Sequence, residues 1–321
     1  MIRLLLFLLI FGTFAIGTFA QQATPTPSST PVPQVTPSFS TAGRAVNLIN
    51  NPQVDGRTKA SPADGLALRQ LIIQKYAQPL YRKPSELELE SIEPDPEIKR
   101  QYKQFLARKN TGIFRLVADA GCSENAKVIS ASEACLKYTM PGSGNSFSFR
   151  TANYRIRHLS DLMLSAQNFY IPGILMHGMM TRLGDVPIDT VTLQTAGVDF
   201  LTEFKPSSDY ERAKAIEDVV LKGLERNGFV YARSYAVSEN STYAMRIIAY
   251  NGKVLRAVPG AHYDEMDFDR RRDMVVAFRV VNKDPEGGVT IVWVELSNVD
   301  SPKLKIPVDI SSDIKGVRNK F

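Results

Sequence analysis

Two neighbouring segments, Asp273–Val281 and Val289–Leu296, constrain the fold more than any other part of the chain. In the first, Met274, Val276 and Phe278 fall on one side of an extended strand, and Val275, Ala277 and Val281 fall on the other. A strand shows alternate side chains to opposite faces, so one that is apolar on both must be covered on both. Asp284–Pro285–Glu286–Gly287–Gly288 turns the chain between the two segments and makes them antiparallel neighbours. The chain must therefore build a layered structure around an interior sheet.

The preceding segments supply further elements. Phe229–Val237 and Thr242–Tyr250 read as strands. Asn251–Gly252 predicts a hairpin that returns through Lys253–Val258. Ser207–Asn227 reads as a long helix, with Ser208 and Glu211 as a capping box and Asn227–Gly228 as its stop. Its apolar stripe is Ala213, Ile216, Val219, Val220 and Leu224. Strands are expected at Ile113–Val117, Ser146–Arg150 and Tyr154–Arg157, then at Leu162–Leu164, Phe169–Ile171, Ile174–Leu183 and Thr190–Leu193. Asp161–Phe169 reads alternatively as a short helix.

Two helices lead into this part. The first is capped at Ser61, carries Leu68, Leu71, Ile72 and Tyr76, and is limited by Pro79. The second begins near Asp95–Pro96 and lines Ile98, Tyr102, Phe105 and Leu106 along one face. The expected class is α+β: antiparallel sheets with two N-terminal helices, one long central helix and one disulfide. The expected parts are 61–204, 205–302 and a poorly ordered tail at 303–321.

The N-terminus places this body outside the cytoplasm. Arg3 precedes an uncharged, Leu- and Phe-rich run from Leu4 to Ala20, which ends in a small residue. Residues 1–20 thus have the pattern of a secretory signal, with a retained membrane anchor as the alternative. Residues 21–60, with Pro25, Pro27, Pro31, Pro33 and Pro37 among Ser and Thr, read as a disordered spacer. The expected location is periplasmic, extracellular or tethered to the membrane facing outward. In that setting the only two cysteines, Cys122 and Cys135, are expected to form a disulfide. Asn240–Ser241–Thr242 fits a glycosylation acceptor if the host modifies such sites.

The sequence shows no Gly-x-Ser-x-Gly, His-Glu-x-x-His, Cys-x-x-Cys, Walker loop or dinucleotide fingerprint. Net charge is +6, spread along the chain, which makes no case for nucleic acid. Three places invite a functional reading. The segment from Gly260 to Asp273 holds His262, Asp264, Asp267, Asp269 and Arg271, which suit an acid–base pair, a hard-cation site or a salt-bridged loop. His177 lies among Met176, Met179 and Met180, a donor set suited to Cu(I) or a methionine-filled core strand. Arg150, Arg155 and Arg157 interleave with Phe147, Phe149 and Tyr154, as a basic stripe toward an anionic surface or a solvated face over a buried one.

The leading expectation is an exported, non-catalytic binding or structural protein with an envelope or extracellular partner. It uses no cofactor and touches the membrane, if at all, through its N-terminal segment. The rivals are an exported hydrolase built on His262, Asp264, Asp267 and Asp269, and a metal-binding protein. If the cysteines pair, neither thiol alkylates until a reductant is added. Reduction then lowers stability by about 3 kcal/mol, the loop-closure contribution expected at this spacing. Alkylation of the unreduced, folded chain, followed by mass spectrometry, checks it.

Overall fold

In the computed structural model, residues 62–118 and 140–305 are described. Cys122 and Cys135, the signal segment and the spacer lie outside them. The described residues belong to the unit Ala60–Phe321.

Fourteen strands are found among them. Five form the main sheet, in the order β1 (Thr111–Leu116), β14 (Val289–Asp300), β13 (Arg272–Lys283), β10 (Thr242–Ala249) and β6 (Met176–Gly184), each antiparallel to its neighbour. A second antiparallel sheet orders β3 (Asn153–Tyr154), β2 (Ser146–Ser148), β4 (Leu162–Ser165), β5 (Asn168–Tyr170) and β9 (Ser234–Ala236). Two hairpins, β7 (Leu224–Arg226) with β8 (Phe229–Tyr231) and β11 (Leu255–Val258) with β12 (Ala261–Asp264), complete the set.

The double-sided strands are central, as their pattern requires. Met274, Val276 and Phe278 of β13 face the second sheet and share a core with Phe147, Leu162, Phe169 and Trp293. Val275 and Ala277 face the opposite side, against Val198, Leu201, Val220 and Tyr231. The layers are therefore sheet on sheet on one side and helices with connecting segments on the other. Aromatic rings dominate the inter-sheet layer. Phe278 stacks on Tyr243 at 5.1 Å between centroids and meets Phe169 edge-on at 5.4 Å. Phe114 stacks on Phe147 at 3.8 Å.

The helix side is fixed to the sheet by a buried ion pair. Arg246 of β10 donates to both carboxylate oxygens of Asp273 in β13, at 2.9 and 2.8 Å. Its Nη1 also donates to the carbonyls of Leu201 and Phe204, at the C-terminal end of α5 (Asp199–Glu203). That end carries unpaired carbonyls, and a cation there is favourable.

Six α-helices occur among the described residues, more than the three expected. α1 (Pro62–Tyr76) lies where the sequence places it, but Leu68, Leu71 and Tyr76 are exposed. The unforeseen α2 (Glu86–Glu90) has a capping box between Ser85 and Glu88. The second expected helix is broken at Tyr102 into α3 (Pro96–Gln101) and α4 (Lys103–Leu106). The long helix is shorter than expected: α6 (Tyr210–Lys222) is capped by Asp209, not Ser208, and stops at Gly223. Asn227 and Gly228, at φ 52° and 79°, instead form the turn between β7 and β8, with both residues left-handed as a tight hairpin requires.

Other expectations also change. Asn251–Gly252 closes no hairpin, because β10 already pairs with β13 and β6 and the chain beyond pairs within β11–β12. Tyr154–Arg157 is extended only at Tyr154, Asp161–Phe169 is a hairpin, and Thr190–Leu193 is not a strand. The start of the expected tail is held down: Leu304 is buried, and Lys303 and Lys305 bridge to Asn251 and Asp209.

Phe278 is fully buried among three aromatic rings. Replacing it with Ala should cost roughly 3–5 kcal/mol through lost burial and the cavity left behind. Val219→Ala, at an exposed helix position, should stay within about 0.5 kcal/mol of the parent. Urea unfolding of the two variants tests the contrast.

Candidate functional site

The segment 260–273 does not form one cluster. Ala261–Asp264 is strand β12, followed by a single 3-10 turn, Glu265–Phe268. Asp264 Oδ1 accepts from the backbone N–H groups of Val254 and Met266, so that carboxylate oxygen is used to shape the turn. His262 is exposed, and its backbone carbonyl accepts from Arg69 at 3.0 and 2.6 Å. Asp267 is also exposed. Asp269 and Arg271, by contrast, turn inward and pair at 2.7 Å.

Their partner is Arg150, which the sequence places on a basic stripe and the structure buries completely. Arg150 Nε donates to Asp161 Oδ1 at 2.7 Å, and Nη1 donates to Asp269 Oδ2 at 2.6 Å. The same guanidinium reaches the carbonyls of Arg270 and Leu159. Burial opposes its charge, but Asp161 and Asp269 outweigh burial and hold its pKa above the ordinary value. Arg271 adds donors to the carbonyls of Tyr250, Ile174 and Leu175. Burial, followed by the like charge of Arg150, lowers its pKa. Arg155 is buried too, leaving Arg157 as the exposed member of the stripe. Within the segment only Asp269 and Arg271 pair with each other, and the other neutralising charges come from elsewhere: Arg150 for Asp269, Arg256 for Glu265 and Asp300 for Arg272.

A second cluster escaped sequence reading. Glu265, 1 % exposed at its side chain, accepts from Tyr81 Oη at 2.7 Å and from Arg256 Nε at 2.7 Å, and contacts His158 Nε2 at 2.5 Å. Tyr263 Oη adds a bond to Tyr81 Oη at 2.9 Å. Burial pushes the Glu265 carboxyl up, but the bonds from His158, Tyr81 and Arg256 overcome it and bring the pKa down to about 2. A carboxylate that orients an imidazole is half of an acid–base apparatus. Among the described residues, however, no hydroxyl or thiol nucleophile is hydrogen-bonded to His158. The only trace in the sequence is the acid next to Asp264; its partners lie far away along the chain.

His177 and its methionines divide across β6. His177 shares a face with Met179, whereas Met176 and Met180 enter the inter-sheet core on the other. The His177 ring meets Tyr250 Oη through Nδ1 at 3.2 Å. Burial, helped by the charge of Arg233, lowers its pKa to about 4. This is the packed-strand arrangement, and no group of three or more His, Cys, Asp or Glu suited to a metal occurs among the described residues.

The remaining feature is a groove of about 560 Å³ at one edge of the two sheets. Phe114, Phe147, Tyr154 and Trp293 line it together with the loop between Leu89 and Pro94 and the backbone of Gly112 and Ile113. Gly112 pairs with Trp293 across β1 and β14, and a Cβ at Gly112 would come within 2.5 Å of the indole nitrogen. The missing side chain thus lets the indole lie across the edge strand. No acceptor binds the Trp293 N–H among the described residues. Exposed Leu89 and the ion pair Lys99–Glu93 border the opening. The four rings are themselves largely buried, so the groove offers their edges together with polar groups in similar measure, and its volume is within the range of ligand sites. Comparison with protein-family models, curated proteins and solved structures finds no match for this chain.

Two buried groups set an acid dependence of stability. Both His177 and Glu265 bind a proton less readily folded than unfolded, so their contributions are complete at high pH and decay on acidification. The His177 part should fade as pH falls from about 6.5 to about 4, and the Glu265 part from about 4.5 to about 2. Each is at most about 3 kcal/mol, and less for Glu265, whose partners His158 and Arg256 are 41 % and 43 % exposed. Denaturant midpoints measured across pH should lose the first slope in His177→Gln and the second in Glu265→Gln. A variant that keeps its slope would remove the assignment.

Proposed function

We propose that this chain is an exported, non-catalytic binding protein that takes its ligand at the outer side of the cell envelope in the groove beside Trp293. The N-terminal residues 1–20, with their apolar run, and the Pro-rich spacer support the location. The groove carries the binding half of the reading, because it combines aromatic surface with hydrogen-bonding groups that nothing within the described residues uses. The ionisable groups favour binding over hydrolysis. Asp269 and Arg271 are consumed by internal pairing, while His262 stands apart at the surface.

Trp293 is the only tryptophan in the chain, so the groove carries its own reporter. Titration with short peptides, oligosaccharides or phospholipid micelles should give a saturable shift in emission for the class that binds. Leu89→Asp, at the exposed lip, should weaken that binding roughly tenfold or more, since it removes one apolar contact, while leaving the melting temperature unchanged. If none of the three classes moves the emission, the binding reading is lost, and a hydrolytic activity of the purified chain that His158→Ala abolishes would favour the rival.

A further inference from the structure

Strand β1 is an outer strand of the main sheet and the wall of the groove at once. Antiparallel strands turn the peptide groups of alternate residues toward the partner and the rest away from it. Two observations establish the phase in β1. Asn110, two residues before Gly112, gives its carbonyl to Glu295 N–H in the direction of β14 at 2.8 Å. Arg115 faces outward instead, where the Tyr154 hydroxyl donates to its carbonyl at 2.6 Å and accepts from its N–H at 3.3 Å. Gly112 and Phe114 therefore point their peptide groups at β14, and Thr111 and Ile113 point theirs away. The N–H and C=O of Ile113 have no partner among the described residues, and Ile113 lines the groove.

We propose that the ligand of the groove is an extended peptide that adds to β1 by pairing with Ile113. This rests on the binding reading above and names its ligand class. The residue opposite Ile113 exchanges two backbone hydrogen bonds with it, and the residues on either side of that one turn their side chains toward Phe114 and Trp293. Apolar or aromatic side chains suit those two positions. The paired length is short, because Tyr154 already occupies the next outward position at Arg115. Charge selects the flanks: Glu90 and Glu93 border the groove against Lys99, and Glu86 lies exposed on α2 just beyond, so basic residues belong at the peptide's ends.

The probe is the peptide acetyl-Lys-Phe-Val-Phe-Lys-amide, followed through Trp293 emission on the full chain. Saturable binding is expected. Methylation of the central Val nitrogen removes the donor to Ile113 and should weaken binding at least tenfold on the unaltered protein. Ile113→Pro deletes the outward N–H without touching a bond to β14, and Pro is tolerated on an edge strand. It should cause a similar loss, and because the carbonyl of residue 113 still accepts from the Val N–H, methylation of the peptide should weaken binding to this variant further. Glu90→Lys should reduce affinity several-fold. The N-methylated peptide binding as well as the plain one overturns the proposal without using any variant. So does a peptide that leaves the emission unmoved. If an oligosaccharide or micelle then shifts the emission, the groove remains a binding site and only the peptide is wrong. If nothing shifts it, both readings fail.

Discussion

Arg150 is the fixed point of this structure. Packing between the two sheets is largely apolar and aromatic, and such packing has little preference for one alignment over a neighbouring one. The guanidinium of Arg150 supplies the direction. On one side it holds Asp161, which also accepts from Ser148 and from the Arg150 amide, all within the second sheet and its turns. On the other it holds Asp269 and the Arg270 carbonyl, at the entrance to β13. Arg271 carries the linkage on to the residues before β6 and after β10. Removing one member would leave the others charged and unpaired in a dry interior, a far larger cost than replacing the whole set with apolar groups. The network therefore specifies alignment more than it adds stability.

The same distribution of charge separates the closed end of the sandwich from its open edge. Around Arg150 most polar groups are paired, although Arg155 Nε and Asp269 Oδ1 are buried without a partner among the described residues. At the open edge, beside the groove, the peptide groups of Ile113 and the indole N–H of Trp293 have no partner among the described residues. A protein can afford unpaired polar groups only where water or a ligand satisfies them.

How much of this the sequence disclosed followed from how local each signal is. β13 and β14 were legible to within a few residues, because their alternation runs on both faces and a turn joins them directly. β10 was legible as a strand but not in its pairing. Asn251–Gly252 has the chemistry of a tight turn, yet the strand before it was already committed on both sides, and no local pattern reports that. Asn227–Gly228 makes the converse point: its turn chemistry was right, and only the structure it joins was different. Arg150 defeated the ordinary expectation that arginine is exposed, since its two carboxylate partners, Asp161 and Asp269, lie 11 and 119 residues away along the chain. The Glu265 cluster was hidden for the same reason, with Tyr81 184 residues distant. The groove left a single local trace, Gly112 beside the apolar pair Ile113–Phe114, whose meaning depends on Trp293 lying opposite.

Tyr154 bears on how far the edge of the main sheet could be extended by a further strand. A free strand edge with unused peptide groups is a template on which identical chains can stack indefinitely, and proteins that keep one open are at risk of forming fibres. Here a phenol hydroxyl from the facing sheet sits on Arg115, part-way along that edge, and satisfies both of its peptide groups. A copy of the main sheet approaching edge to edge would meet the ring before it could extend the ladder. Pairing along this edge therefore stops at Arg115, whatever strand approaches it.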